Sequence, residues 1–286
     1  MPTSKGWFCE GKIPGKRKKG IKHCFLIEKI IFKRKSKVQD ILIFKNPVYG
    51  KILIIDGILQ LAQRDEFIYH EMISHPVLFS HPQAKKILIL GGGDGGALRE
   101  VLKHKVKKVD LVEADELMIK LAQTHLKFVS QNAFSDKRVR IFIEKGEEFV
   151  KKAKEKQDIV IVDCLNFGQE SSLSLFELKF YQRIFEILTE KGILITLGAS
   201  LLDFENFVKK IYQRIKEVFP KVFILRFCVP SFHCGEYCFL IGSKKIDFQK
   251  VKIKQKFEKF KEKNSLKYFS PEVFKTSLIL PNFLKI

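Results

Sequence analysis

The sequence predicts an α/β protein in which a small antiparallel β unit precedes a larger, mainly parallel sheet with helices on both faces. From residue 85 onward, short apolar runs alternate with segments of helical periodicity, which is typical of parallel strands joined by crossover helices. Before that point, strand-like runs are separated by the turn signals Asn46-Pro47 and Asp56-Gly57, which favour antiparallel pairing. The last two strands are separated only by residues 230–235, which is too short for a crossover helix, so they are predicted to form an antiparallel hairpin.

The individual elements follow from the same periodicities. Strands of the N-terminal unit are predicted at 24–32, 40–44, 51–55 and 58–62, with a helix over 64–80. Strands of the larger sheet are predicted at 86–90, 108–112, 139–143, 158–163, 192–197, 221–229 and 236–242, and helices at 94–104, 114–126, 175–188 and 203–217. Residues 244–263 form a lysine-rich helix or linker. We therefore expect a basic, poorly ordered N-terminus at 1–23, a β domain at 24–83 and a Rossmann-like domain at 84–286.

Composition limits the partners that this chain can have. Its 53 Lys and Arg against 32 Asp and Glu give a net charge of +21. Such a charge favours nucleic acid or an anionic surface as a binding partner. The alternative is that the charge only reflects an enrichment of lysine along the whole chain. The basic clusters at 16–19, 33–37 and 250–263 carry no aromatic recognition motif, so we expect no nucleic-acid partner. No apolar run reaches the length of a membrane helix and the first 20 residues lack a signal-peptide core, so we expect no membrane association and a cytoplasmic location.

The cysteines indicate neither a metal site nor a redox motif. None forms a C-x-x-C pair or has zinc-type spacing with histidine. We therefore expect all of them to be buried thiols in a reducing compartment, with no metal bound. They are Cys9, Cys24, Cys164, Cys228, Cys234 and Cys238.

The segment 85–100, KKILILGGGDGGALRE, is an apolar strand that continues into a glycine-rich turn and a helix. Gly91, Gly93 and Gly96 have G-x-G-x-x-G spacing, which lets backbone N–H groups approach a ligand at a helix N-terminus, although simple turns also show it. Glu113 closes the next apolar strand, where an acidic residue commonly accepts hydrogen bonds from ribose hydroxyls. Together these features predict a nucleoside-containing ligand.

Asp94 occupies the turn position where phosphate would lie in a dinucleotide site. A carboxylate there would repel pyrophosphate but suit a cationic ligand such as a sulfonium or an amine. Alternatively, Asp94 only caps the helix that begins near Gly95, because Asp is a favoured N-cap residue. The sequence leaves both interpretations open.

Longer motifs in this chain resemble a known family. The motifs are YGKILIIDGILQLAQRDEFIYHEMISHPVLFSHP, KKILILGGGDGGALREVLKH, VDLVEADE, FPKVFILRFCVPSF and LKYFSPEVFKTSLILP, in that order. They resemble the spermidine synthase family, the polyamine aminopropyltransferases, over nearly the whole chain from about Ser36. The resemblance implies a class I methyltransferase-type sheet and a homodimer or homotetramer. It also implies transfer of an aminopropyl group from decarboxylated S-adenosylmethionine to putrescine or a related amine, with release of methylthioadenosine and no prosthetic group.

The same resemblance implies roles for individual residues. Gln39 and Glu113 are expected to contact the nucleoside, and Asp94 the amine of the donor. The full set implied on the donor side is Gln39, Gly91, Gly93, Asp94, Glu113, Lys145 and Gly146. The set implied on the acceptor side is Gln60, Tyr69, His70 and Phe232. For His70 and Gln39 the alternative is a purely structural role, on a helix face and a strand surface respectively.

The chain departs from the family pattern where the catalytic base is expected. The family usually reads D-[SC]-[ST]-D-P, and its second Asp accepts the proton, whereas this chain reads DCLNF and has Asn166 at that position. An amide can hold an ammonium but cannot accept its proton, so Asp163 and Glu170 become the candidate substitute bases. In addition, Lys145 stands where an Asp contacts adenine, and Phe232 where the family has a substrate-side tyrosine.

Three interpretations follow from these departures. The first is an active aminopropyltransferase with altered acceptor recognition, in which a substitute carboxylate, or water acting on a desolvated amine, takes the proton. The second is a homologue that uses a different amine or nucleoside. The third is a catalytically silent protein that binds a nucleoside or polyamine in the same cleft.

Overall fold

The computed structural model describes residues 6–10, 22–164, 177–233 and 235–284. Within them the chain forms a two-stranded ladder, a four-stranded antiparallel sheet and a seven-stranded, mostly parallel sheet. The predicted fold class, a small antiparallel β unit followed by a Rossmann-like sheet with a terminal hairpin, is confirmed.

The N-terminal strands form a ladder and a meander. Their bounds are β1 (Gly6–Cys9), β2 (Cys24–Ile27), β3 (Lys29–Lys35), β4 (Asp40–Asn46), β5 (Gly50–Ile55) and β6 (Ile58–Ala62). Strands β3 to β6 pair antiparallel in chain order, while β2 pairs with β1. The single strand predicted over 24–32 is wrong: the chain bends at Glu28, so its two halves pair with different partners.

The β1–β2 pairing also corrects the expectation that every cysteine is a thiol. The register places Cys9 opposite Cys24, and the two form a disulfide across 15 residues of sequence. Within the described part of the chain, Cys164, Cys228 and Cys238 are free thiols, but Cys228 is exposed rather than buried because it lies at the end of an edge strand; Cys234 lies outside the described residues. Strand β1 was itself not predicted, because it lies in the segment expected to be poorly ordered and depends on a distant partner.

The large sheet follows α1 (Glu66–Ser80). Its strands are β7 (Lys86–Gly91), β8 (Lys108–Glu113), β9 (Val139–Ile143), β10 (Gln157–Asp163), β11 (Leu188–Ala199), β12 (Lys221–Cys228) and β13 (Glu236–Ser243). Their order is β12-β13-β11-β10-β7-β8-β9. Strand β13 pairs antiparallel with both β12 and β11, as the short connection at 230–235 predicts.

Helices cover both faces of this sheet. After α1 they are α2 (Gly96–Leu102), α3 (Glu116–Thr124), α4 (Lys127–Ser130), α5 (Gly146–Lys152), α6 (Leu178–Ile187), α7 (Glu205–Lys216), α8 (Lys254–Lys261) and α9 (Pro271–Ser277). Helix α2 starts two residues later than predicted because Gly95 has φ 82°, which ends the turn in a left-handed conformation. None of the helices within the described ranges combines the length and apolar character needed to cross a membrane.

The central strands are apolar on both faces, which fixes the sheet between two cores. Ile87 and Ile89 of β7 pack into one core with α1 and α2, and Leu88 and Leu90 pack into the other. Strand β7 has β8 and β10 as neighbours, and Asp163 at the end of β10 is in register with Gly91. The carboxyl ends of three adjacent strands therefore meet at one edge of the sheet, where ligands bind in open α/β folds.

Candidate functional site

A cavity of about 420 Å³ lies at this carboxyl edge, between the turn after β7 and the N-terminal sheet. It brings together all the predicted site residues that the structure describes. These are Gln39, Gln60, Tyr69, His70, Gly91, Gly93, Asp94, Glu113, Lys145, Gly146, Asp163 and Phe232. Asn166 and Glu170 lie outside the described residues.

The glycine turn allows the close approach of three strand ends. Gly91 and Gly92 have φ of 80° and 67°, a region that favours glycine. A Cβ on Gly91 would lie 2.4 Å from the backbone oxygen of Asp163, and one on Gly93 would lie 2.6 Å from Oε2 of Glu113. These glycines are therefore needed for contact with neighbouring strands, which is more than a simple turn requires.

Glu113 is held at the end of β8 by two backbone donors. Its Oε2 accepts a hydrogen bond from the N–H of Gly93 at 3.1 Å, and its Oε1 accepts one from the N–H of Asp115 at 2.9 Å. Burial raises the pKa of Glu113 to about 7, although these hydrogen bonds oppose the shift. The carboxylate is thus fixed in position at the cavity wall, where it can accept hydrogen bonds from ligand hydroxyls.

Asp94 bonds the backbone at the start of α2 and also faces the cavity. Its Oδ1 accepts a hydrogen bond from the N–H of Gly96 at 2.7 Å, which stabilises the start of α2, and Asp94 also lines the cavity. Nε2 of His70 lies 3.4 Å from the same oxygen. Burial opposes ionisation, but His70 outweighs it and lowers the pKa of Asp94.

His70 is buried between two carboxylates. Its Nδ1 lies 2.6 Å from Oε2 of Glu66, on the preceding turn of α1, while its Nε2 faces Asp94. Burial alone would lower the pKa of His70, but Asp94 and Glu66 outweigh it and raise that pKa to about 10. His70 is therefore an imidazolium at neutral pH, and it both packs in the interior and borders the cavity.

Asp163 and Tyr69 meet from distant parts of the chain. The Tyr69 hydroxyl donates a hydrogen bond to Oδ1 of Asp163 at 2.6 Å. Burial and the nearby charge of Asp94 raise the pKa of Asp163 to about 6. The cavity thus contains a carboxylate that changes charge close to neutral pH.

The remaining predicted residues sit at the rim and the walls. Gln39 lies on the turn between β3 and β4, and Nε2 of Gln60 donates to the backbone oxygen of Ile58 at 3.3 Å. Lys145 is exposed at the N-cap of α5. The ring of Phe232, in the β12–β13 turn, lies 6.1 Å from that of Tyr69.

Several cavity residues were missed by the sequence interpretation. They are Lys37, Glu147, Cys164, His233 and Tyr237. Nδ1 of His233 lies 2.9 Å from the Tyr237 hydroxyl, and its Nε2 lies 3.6 Å from Asp203. No motif marks this histidine; its place directly after Phe232 in the hairpin turn was the only available signal.

No metal centre is evident in the described portion of the chain, which holds no group of three or more His, Cys, Asp or Glu side chains arranged to bind an ion. The carboxylates of Asp94, Glu113 and Asp163 instead line the wall of the cavity. Fold and cavity together define a Rossmann-like α/β protein with an acidic pocket at the carboxyl edge of its sheet.

Comparison with known proteins identifies the family. Residues 66–255 match the family described as "Spermine/spermidine synthase domain", and residues 6–63 match "Spermidine synthase tetramerisation domain". This chain belongs to the spermidine synthase family.

Several known proteins are similar to this chain along almost its whole length. A polyamine aminopropyltransferase of Clostridium tetani is 37% identical over 265 residues, covering 91% of each chain. One from Caldicellulosiruptor saccharolyticus is 34% identical over 285 residues, covering 98% of this chain and 96% of the relative. A crystal structure of spermidine synthase in complex with the transition-state analogue AdoDATO superposes with a TM-score of 0.92 at 36% identity, covering 99% of this chain and 94% of that one. The spermidine synthase of Thermotoga maritima superposes with a TM-score of 0.88, at the same identity.

Proposed function

We propose that the cavity catalyses transfer of an aminopropyl group from decarboxylated S-adenosylmethionine to putrescine or a related amine, releasing methylthioadenosine. By family, the chain is a polyamine aminopropyltransferase. The observation that carries the assignment to this cavity is the convergence of three carboxylates, Asp94, Glu113 and Asp163, on one partly apolar space. Both substrates are cations with apolar stems, so they need carboxylates separated by apolar walls.

The donor is assigned to the side of the glycine turn. Glu113 is held by backbone N–H groups with its carboxylate at the cavity wall, which suits hydrogen bonds from the two ribose hydroxyls. Asp94 is kept ionised by His70, which suits the primary ammonium of the donor. Gln39, Lys145 and Gly146 line the same side, so we assign them to the nucleoside as well.

The acceptor amine is assigned to the side of Tyr69 and Phe232. The rings of Tyr69 and Phe232 line the cavity and offer an aromatic wall for a methylene chain and for an ammonium over a ring face, while Phe227 and Phe239 pack against Tyr69 from the interior. Gln60 and His70 complete this side of the cavity.

The reaction is a displacement at carbon. The lone pair of a neutral amine forms the new C–N bond, the C–S bond breaks, and its electron pair stays on sulfur, so methylthioadenosine leaves as a neutral thioether. The proton of the new secondary ammonium must go to a base. Since Asn166 cannot accept it, we assign this role to Asp163, whose pKa of about 6 brings it closer to that of a desolvated amine.

The experiment that tests this function is a mass-spectrometric assay for methylthioadenosine. Purified protein is mixed with decarboxylated S-adenosylmethionine and a panel of amines: putrescine, agmatine, cadaverine and longer polyamines. We expect product with at least one amine, and loss of product in Asp94→Ala. Calorimetric binding of the nucleoside without product from any amine would instead support the alternative, a silent or repurposed homologue.

Self-association and location belong to the same proposal. Residues 6–63 match a domain described as a tetramerisation domain, which supports a homodimer or homotetramer; light scattering of the purified protein tests this. We place the enzyme in the cytoplasm, with its small-molecule substrates, and cell fractionation tests that location.

A further inference from the structure

Two charged side chains beside the cavity have no part in the chemistry above. Glu66 on α1 and Arg99 on α2 are both buried, each with 7% of its side chain exposed. They form a bidentate salt bridge: Nη1 of Arg99 donates to Oε1 of Glu66 at 3.0 Å, and Nη2 donates to Oε2 at 3.1 Å. The sequence motifs RDEFIYHEM and GGGDGG-x-x-RE thus meet in space through their charged residues.

Arg99 is itself fixed by further acceptors. Its Nε donates to Oε1 of Glu100 at 2.7 Å, and its Nη1 also donates to the backbone oxygen of Val129 at 2.7 Å. A guanidinium bound on three sides cannot swing away, so it determines where the Glu66 carboxylate lies.

The two helices are close enough to transmit this position to the cavity. A Cβ on Gly96, in the first turn of α2, would lie 2.3 Å from ring atoms of His70. The ring is therefore enclosed by Gly96 on one side and by its two carboxylate partners at the nitrogens. A ring with a carboxylate at each nitrogen is the arrangement for two N–H donors, which only the imidazolium provides.

We propose that Glu66, anchored by Arg99, is a positioning residue for aminopropyl transfer: it orients His70 so that Nε2–H points at Asp94 and holds that carboxylate for the ligand ammonium. This inference rests on the proposed function. It assigns no contact between Glu66 and substrate, since Glu66 acts only through His70.

The titratable and charged groups that face His70 lie on each of the elements packed around it. Glu66 and Tyr69 lie on α1 itself, Asp94 on the glycine turn and Asp163 at the end of β10. Arg99 faces it from α2, behind Glu66. The two carboxylates at the ring nitrogens dominate, in agreement with the raised pKa of His70, about 10.

The test is Glu66→Gln, assayed as donor KM and kcat across pH 6 to 9.5 and expressed relative to wild type at each pH. Gln keeps an oxygen for Arg99 but removes the charge, so the pKa of His70 falls into this range. Below the lowered pKa the imidazolium persists and the donor KM stays within about threefold of wild type; above it, the donor KM rises by about tenfold or more, with a smaller change in kcat. The ratio of variant to wild type at each pH cancels the pH dependence that comes from ionisation of the substrate amines, because that ionisation is the same for both proteins.

Glu71→Gln is the matched control. Glu71 follows His70 on α1 and is equally buried, but its carboxylate accepts hydrogen bonds from the backbone N–H groups of Lys267, Tyr268 and Phe269, away from the cavity. Its loss is expected to reduce thermal stability without a pH-dependent change in the donor KM ratio. If Glu66 has only a structural role, the donor KM of Glu66→Gln relative to wild type will also be independent of pH. That result would overturn the inference.

Nitrogen-15 NMR of the histidine rings gives a readout that does not require activity. In wild type, His70 is expected not to titrate between pH 6 and 9, whereas in Glu66→Gln it titrates within that range. If the wild type forms no methylthioadenosine, the proposed function fails while the NMR still decides whether Glu66 controls His70; titration of wild-type His70 near 6.5 would refute that control. If Glu66→Gln does not fold, Glu66→Asp keeps the charge opposite Arg99 but shortens the reach to His70, so the same change is expected with smaller amplitude.

Discussion

The two sides of the cavity hold their carboxylates in different ways. On the donor side, which consists of the glycine turn and Glu113, backbone N–H groups hold both acids: Gly93 and Asp115 bond Glu113, and Gly96 bonds Asp94. On the acceptor side, which includes Tyr69, Asp163 and Phe232, a side-chain hydroxyl from another element holds the acid. The hydrogen bonds that hold the donor-side acids thus come largely from neighbouring backbone, whereas the one that holds Asp163 comes from a residue 94 positions away in sequence.

This difference predicts different sensitivities. Backbone donors cannot be removed by changing one side chain, so the positions of Glu113 and Asp94 are disturbed most by altering the backbone through the glycines of the turn. Asp163 on the acceptor side is held by a side-chain hydroxyl instead, so a single polar substitution at Tyr69 can remove that hydrogen bond and shift the pKa of Asp163.

The largest effect is expected from Gly91→Ala. The new Cβ would meet the backbone oxygen of Asp163 at 2.4 Å, and Gly91 has φ 80°, so β7 and β10 would have to separate at the cavity. We expect a loss of at least ~2 kcal/mol in the free energy of unfolding, measured by urea denaturation followed by circular dichroism. Gly146→Ala is the control, because its Cβ would meet nothing closer than 3.5 Å, and it should stay within ~1 kcal/mol of wild type. Equal stability of the two variants would contradict this description of the turn.

Glu113→Gln is expected to weaken the donor side without unfolding it. An amide offers one acceptor oxygen where the carboxylate offers two, so the Kd of methylthioadenosine should rise by roughly 10-fold at pH 8. Glu113, with a pKa of about 7, is ionised at pH 8 but protonated at pH 6, so the difference from wild type should shrink at the lower pH. Calorimetry at both pH values measures this; unchanged affinity at pH 8 would exclude Glu113 from the ribose contact.

Tyr69→Phe is expected to have the smallest effect and to act through pH. The Tyr69 hydrogen bond favours ionised Asp163, so its removal raises the pKa of Asp163 further above about 6. Because we propose that ionised Asp163 accepts the proton, the acidic limb of the pH–rate profile should move to higher pH, with a loss of about 3- to 10-fold at pH 7. Rates measured from pH 5.5 to 9 test this, and an unmoved limb would mean that Tyr69 does not influence the base.

The same contrast explains what the sequence could predict. The glycine turn, the acid after β8 and the strands of the large sheet are local patterns, and the predicted strands of that sheet agree with the structure apart from differences at their ends. The division of 24–32 into two strands, by contrast, depends on which strand each half pairs with. Local periodicity in the sequence does not reveal these pairing partners.

Long-range contacts account for the rest of what was missed. The Cys9–Cys24 disulfide requires the β1–β2 register, and the Glu66–Arg99 pair joins two helices that are separated in sequence by strand β7. Tyr69 and Asp163 were each predicted separately, but their hydrogen bond follows only from the packing of α1 against the end of β10.

The central claim is that this cavity performs aminopropyl transfer with Asp163 as the proton acceptor, although the resemblance to the family implies Asn166 at the usual position of that group. The most direct test is the rate of methylthioadenosine formation at pH 8 in wild type, Asp163→Asn and Glu170→Gln, with the best amine of the panel. We predict a loss of about 10²- to 10⁴-fold in Asp163→Asn, with nucleoside affinity kept, and a change of less than about threefold in Glu170→Gln. An Asp163→Asn variant as active as wild type, or loss of activity only in Glu170→Gln, would contradict the claim.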